Sequence, residues 1–302
     1  MTRAVPPILR ARRSVGALAV ALALSVGLGA CSLLVDTSGF DERALDADAS
    51  PSVDAAEVPA ADGGLDGPAE TSTDAAERDR YFDEVMSDGP IAYFRLADAT
   101  SEAKNEIAGS AIGAVYPGSG ATRGVPGALS GSADGALRFD TVGARLGLLG
   151  PVDFLGDVPF TVEAWVKLDD FSGGDIAEDM GFPLGGQRTG WIFFLHAVGD
   201  AYNFRTEMWN DGVIFLYTEH ARPATTSSFH HVVLYHSDVD HIDHLMVDGV
   251  TSAGGFTGNG VGERAVNGAT LSWGGFRGTL DELAIYDKVL PQDRIRTHYS
   301  AR

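Results

Sequence analysis

One run of nine residues restricts this chain more than any other feature: in Phe160–Leu168 apolar side chains occupy every second position without a break. A β-strand sends successive side chains to opposite faces, whereas a helix would scatter both sets around its axis. Phe160, Val162, Ala164, Val166 and Leu168 therefore share one side, and Thr161, Glu163, Trp165 and Lys167 share the other. A strand with one wholly apolar side needs a second layer to cover it, and in a chain built from such runs that layer is a second sheet.

Similar runs recur from Tyr81 onward. Strands are expected at Ile91–Leu96, Ala136–Asp140, Arg145–Leu149, Phe160–Leu168, Trp191–His196, Tyr202–Trp209, Val213–Thr218, Phe229–His236, His244–Val247, Leu271–Trp273 and Thr279–Tyr286. Glycine-rich turns separate them, and the chain's 38 glycines favour turn-rich β structure. In Tyr202–Trp209 the inward set is Tyr202, Phe204, Thr206 and Met208, which leaves Asn203, Arg205, Glu207 and Trp209 outward. Trp191 and Trp273 read as core residues. Helical turns are expected only at the ends of the domain, over Arg78–Ser87 and over Pro291–Tyr299, where proline suits a first helical turn. The expected fold class is all-β, a two-sheet antiparallel sandwich over residues 80–302.

The first eighty residues follow other rules. Arg3, Arg10, Arg12 and Arg13 precede an apolar run, Val15–Ala30, that is too short and too rich in glycine and alanine for a membrane span, so residues 1–30 read as a signal peptide. The run ends in Leu28-Gly29-Ala30-Cys31, which looks like the lipobox of bacterial lipoproteins. That resemblance implies cleavage before Cys31 and lipidation of its thiol, with each buried CH₂ adding about 0.8 kcal/mol to membrane anchoring. Ser32, where aspartate would retain a lipoprotein at the inner membrane, implies by the same resemblance the outer membrane or cell surface. Arg12-Arg13 leaves Sec and twin-arginine export both open. Residues 31–79 form an acidic linker expected to be disordered: residues 41–80 contain no Phe, Tyr or Trp, so little apolar area offsets the entropy of ordering.

Charge narrows the partners. The net −20 divides into +4 over residues 1–31, −10 over 32–80 and −14 over 81–302. An acidic domain with no basic stripe repels a phosphate backbone, which argues against nucleic acid. Cys31 is the only cysteine, so no intrachain disulfide can support the fold.

The order of segments resembles the laminin-G-like, concanavalin-A-like jelly-roll domains of bacterial surface proteins. The resemblance rests on Asp88-Gly89-Pro90-Ile91-Ala92-Tyr93-Phe94-Arg95-Leu96, Gly124-Val125-Pro126-Gly127-Ala128-Leu129, Leu137-Arg138-Phe139-Asp140 and Phe160-Thr161-Val162-Glu163-Ala164-Trp165-Val166-Lys167. It continues through Phe229-His230-His231-Val232-Val233, Met246-Val247-Asp248-Gly249 and Phe276-Arg277-Gly278-Thr279-Leu280-Asp281-Glu282-Leu283-Ala284-Ile285-Tyr286-Asp287. Phe94 and Phe229 stand where the family often has tryptophan, and Asp169–Pro183 reads as an acidic insert able to cover or shape a ligand face. This fold serves lectins, glycanases and protein-binding modules alike, so function has to be argued from sites.

Three kinds of site are expected. For ligand recognition the outward residues Glu163, Trp165, Arg205, Glu207 and Trp209 combine flat indoles with charged hydrogen-bonding groups, a combination suited to sugars; the alternative is that both tryptophans only fill space under the insert. For catalysis, glycanases need two carboxylates flanking one bond. Glu163 stands alone on its strand, so the chain reads as a non-enzyme, with a glycan-active enzyme as the rival reading if Glu207 pairs with it. For metals, the resemblance implies a structural Ca²⁺ held by Asp281, with Asp98 close by, because calcium takes oxygen ligands. His241 and His244 beside Asp238, Asp240 and Asp243 suit zinc or nickel, or simply a solvated turn. The chain is thus expected to be a lipid-anchored binding module for a glycan, with a surface protein as the alternative partner.

Overall fold

The computed structural model describes residues 80–130, 134–152, 154, 158–181, 187–210, 212–252, 254–256 and 271–302. The chain divides into two units, Met1–Gly64 and Leu65–Arg302, and all described residues belong to the second. The signal peptide, Cys31 and the acidic linker lie outside the described residues.

Helix α1 (Arg80–Ser87) is followed by β1 (Ala92–Phe94), β2 (Glu102–Ala103), β3 (Gly113–Val115), β4 (Ala121–Pro126), β5 (Gly135–Phe139) and β6 (Arg145–Leu149). Next come β7 (Phe160–Leu168), β8 (Asp175–Gly181), β9 (Thr189–Val198), β10 (Ala201–Asn210), β11 (Val213–Pro223) and β12 (His230–Ser237). The last elements are β13 (Ile242–Val247), β14 (Val250–Thr251), β15 (Gly254–Phe256), β16 (Ser272–Gly274), β17 (Gly278–Tyr286) and α2 (Gln292–Ser300). The first sheet runs β14-β13-β12-β7-β17-β5-β4, with β1 also paired to β17; the second runs β15-β11-β10-β9-β8-β16-β6-β3-β2. Every pairing among them is antiparallel. Two antiparallel sheets face to face make the expected jelly-roll sandwich.

The alternation of β7 is realised in space. Phe160, Val162, Ala164, Val166 and Leu168 enter the core between the sheets, beside Trp191, Phe204, Met208 and Trp273. The opposite side of β7 meets a second apolar layer, in which Tyr81 and Val85 of α1 and Ile295 of α2 pack on Trp165, Val233, Ala284 and Tyr286. One outer face of the sandwich is therefore roofed by helices, and β17, which lies between core and roof, is buried at every residue. Pro291 precedes α2 with φ −57°, as its fixed ring geometry suits.

Several strands escape the alternation reading. The short strands β2, β3, β14 and β15 give too few residues to show a period. The segment Asp169–Pro183 is corrected outright: Asp175–Gly181 is not a covering insert but strand β8, paired with β9 and β16. A register shift between Asp175 and Ala177 breaks its period, and its acids suggested a loop.

A second irregularity shapes the first sheet. Asp281 pairs with Trp165, yet Ala284 pairs with Glu163, so β17 carries one extra residue and Glu282 adopts φ +52°. The bulge brings the Asp281 carboxylate against Gly127, where a Cβ would lie 2.4 Å from Oδ2. Glycine is required there by close approach.

Candidate functional site

The structure separates the five expected ligand residues. Glu163 and Trp165 lie on the outer side of the first sheet, whereas Arg205, Glu207 and Trp209 lie on the outer side of the second.

Glu163 and Trp165 do face away from the sandwich core, but both are fully buried under the roof, which corrects their assignment to an open ligand surface. Glu163 accepts hydrogen bonds from Tyr286 Oη (2.5 Å), His298 Nδ1 (3.1 Å) and His231 Nε2 (3.2 Å). His298 Nε2 lies 2.9 Å from Asp88 Oδ2, and Asp88 in turn accepts from Arg294 Nε at 2.9 Å. Both ring nitrogens of His298 thus face carboxylates, an arrangement that calls for the imidazolium form. Burial alone would push His298 down and Glu163 up; their mutual attraction, aided by Asp88 and His231, outweighs this and leaves His298 raised and Glu163 well below the usual carboxylate range. Trp165 is wrapped by the His231 ring at 4.9 Å, Tyr299 at 5.9 Å and the Arg302 guanidinium at 5.0 Å. This constellation fastens α1 and α2 to the sheet.

The second sheet carries no helix on its outer face among the described residues. Cross-strand partners set the layout: Glu178, Ile192, Glu207 and Tyr217 form one row, and Asp175, Phe194, Arg205 and Glu219 form the next. Arg205 binds Glu207 at 2.7 Å and Glu219 at 3.4 Å while lying 4.2 Å from the centre of the Tyr217 ring. Trp209 donates its indole N–H to Glu207 at 3.1 Å, and the Arg188 guanidinium sits 5.2 Å from the indole centre. His196 approaches Glu219 at 2.6 Å. Glu207 is largely covered by these neighbours, and Trp209 is half-buried. Rings and internally paired charges thus share one flat, uncapped surface.

Asp281 is buried, and its carboxylate accepts the backbone N–H groups of Ala128 (2.7 Å) and Glu282 (3.1 Å). Glu282 beside it binds Tyr93 Oη and Arg95 Nε, and Arg95 also pairs with Asp134. Burial, with the like charge alongside, pushes Asp281 well up, and burial takes Glu282 to about 7 in spite of Arg95. Asp98 instead accepts from the Lys104 N–H at 2.8 Å and from Tyr116 Oη at 3.3 Å. It lines a cleft of about 480 Å³ with Phe82, Arg95, Lys104, Glu106 and Asp134. The Arg95 guanidinium thus stands between Glu282 and Asp134, while Asp281 and Asp98 are each engaged by backbone N–H groups. The histidine-rich stretch disperses too: His230 pairs with Asp248, His236 with Asp243 and His244 with Asp240. Among the described residues no group of three or more His, Cys, Asp or Glu side chains is arranged to hold a metal ion.

A sequence profile described as the concanavalin A-like lectin/glucanases superfamily matches residues 146–296. The chain belongs to this superfamily. A search of the curated proteins found no match. Among solved structures, the concanavalin A-like domain is similar to the sialidase of Trypanosoma rangeli in complex with 2,3-difluorosialic acid, at TM-score 0.50 and 16% identity over 71% of this chain and 33% of the sialidase. It is also similar to the botulinum neurotoxin serotype D binding domain, at TM-score 0.51 and 12% identity over 72% of this chain and 52% of that one. The chain thus spans about a third and about half of these two, and the likeness is one of fold.

Within this concanavalin A-like domain, sequence reasoning missed His231, His298 and Tyr286 as partners of Glu163, Asp88 as the second carboxylate on His298, and Arg188 as the neighbour of Trp209. His298 is 135 residues from Glu163, and no periodicity links a terminal helix to a central strand. The one available signal was the helical turn expected over Pro291–Tyr299, which does not say what the helix packs on.

Proposed function

We propose that this chain is a non-catalytic carbohydrate-binding module, held at a membrane by lipid on Cys31, whose sugar rests on the uncapped outer face of the second sheet around Trp209, Glu207 and Arg205. The observation that carries the reading is the contrast between the two outer faces: one is covered by α1 and α2 around Glu163 and Trp165, and the other leaves Trp209, Tyr217 and Phe194 partly exposed among carboxylates and arginines. Aromatic rings give contact area to a sugar's C–H face, while ion-paired carboxylates keep acceptor capacity for hydroxyls. Non-catalytic binding is further supported by Glu163, which is sealed from any substrate, and by Glu207, which lies on the other sheet and cannot pair with it.

The test is binding of the chain from residue 31 onward, carrying Cys31→Ser for solubility, to an array of neutral and acidic glycans. Binding lost in Trp209→Ala and retained in a surface control such as Val239→Ala supports the reading. Glycan binding that survives Trp209→Ala and Glu207→Gln together overturns the placement. Capture of one protein partner with no glycan signal overturns the carbohydrate class.

A further inference from the structure

The roof over the first sheet is incomplete. Beyond Trp165, the outer side of this sheet is open, and cross-strand pairing there puts Thr122, Arg138, Thr279 and Lys167 side by side on β4, β5, β17 and β7. A cleft of about 230 Å³ opens above Thr279, lined by Val125, Pro126, Arg138, Lys167 and Asp169. Two like charges stand in one row with only a threonine between them, and the carboxylates beside them, Asp169 and Asp140, both lie on the Arg138 side.

Arg138 is only partly compensated: Asp169 takes its Nη2 at 2.7 Å, and Asp140 lies 3.5 Å from its Nε without forming a hydrogen bond. The Nε–H is a buried donor with no acceptor among the described residues. Lys167 has no carboxylate within ion-pair distance among the described residues; its amino group lies 6.0 Å from the centre of the Phe229 ring. Thr279, 7% exposed on the cleft floor, offers a hydroxyl that no described residue engages. Adjacent strands lie about 4.8 Å apart, so Arg138 and Lys167 stand roughly 10 Å apart at their backbones, and both side chains are long enough to lean over Thr279.

We propose that this cleft is a binding site for a single tetrahedral oxyanion, a phosphate or sulfate group carried at the end of a small ligand or glycan. Lys167 Nζ, Arg138 Nε–H and the Thr279 hydroxyl are its donors, and Asp169 is the internal competitor for Arg138. Charge-assisted hydrogen bonds of this kind are the stronger class, and oxyanions use several at once. One group rather than a polyanion fits, because the acidic domain repels an extended chain of negative charge. The site is on the opposite sheet from the proposed sugar surface and does not depend on it.

Inorganic phosphate titrated into the chain from residue 31 onward with Cys31→Ser, followed by ³¹P line broadening with chloride holding the ionic strength constant, reads the site directly. Saturable broadening is expected, weakened about tenfold by Lys167→Gln and also weakened by Thr279→Val, and strengthened by Asp169→Asn, which frees Arg138. A sugar phosphate, a sulfated oligosaccharide and its desulfated form then identify the carrier: preference for the modified sugars places the oxyanion on a glycan, and equal binding of inorganic phosphate and sugar phosphate makes the free ion sufficient. Absence of saturable broadening overturns the proposal, as does broadening that ignores Lys167→Gln and Asp169→Asn.

Discussion

Glu163 and His298 meet at 3.1 Å with neither side chain reaching solvent, and this contact ties the last helix of the chain to a central strand of the first sheet. Removing one partner of a buried ion pair leaves the other charged and unpaired, typically at a cost of about 3–5 kcal/mol. Glu163→Gln and His298→Ala are each expected to lose stability of that order in urea unfolding. A change below about 1 kcal/mol for both would show that the helices are held by apolar contacts alone.

The two tryptophans on outward strand positions are expected to behave oppositely. Trp165→Ala empties a fully buried volume and should cost about 3–5 kcal/mol. Trp209→Ala should leave the unfolding midpoint almost unchanged while removing glycan binding. Equal destabilisation by both would contradict the contrast between a capped and an uncapped face.

Stability should fall as pH rises from about 4.5 to 7. Glu282 is raised from 4.5 to about 7 and Asp281 is raised as well, so the fold holds protons that the unfolded chain has already released, and stability is lost as these groups ionise. His298, raised above 6.5, adds a contribution that is complete below that value and is lost as pH climbs through its folded pKa. Glu163 acts in the other direction, with a contribution present above 4.5 and lost in strong acid. Melting temperature measured across this range should decline toward neutrality, and Glu282→Gln should flatten the decline. A wild-type curve rising from pH 5 to 7 would reverse the assigned direction.

Chelation is expected to leave the melting temperature within about 1 °C, because Arg95 already supplies positive charge beside Asp134 and Glu282. A fall of several degrees on adding a chelator, absent in Asp281→Ala, would place a structural calcium ion at that carboxylate.

Gly127→Ala puts a methyl group against the Asp281 carboxylate, at 2.4 Å from Oδ2 before relaxation. The expected loss is about 1–3 kcal/mol, the usual cost of overpacking. Asp281→Asn, with the same shape, should not relieve it, whereas Asp281→Ala in the same chain should recover part of the loss.

The sequence by itself determined which residues of β7 and β10 point into the sandwich, because side chains alternate on a strand whatever its neighbours are. The last helix was legible as well, since a proline that suits a first helical turn is a local signal. What covers each outer face was decided only by tertiary structure. Glu163 and Glu207 share the same local pattern, yet α1 and α2 seal one while the other stays on an uncapped sheet. Helix docking, the β17 bulge and the meeting of Glu163 with His298 depend on contacts between residues far apart in the chain, and local periodicity carries no record of them.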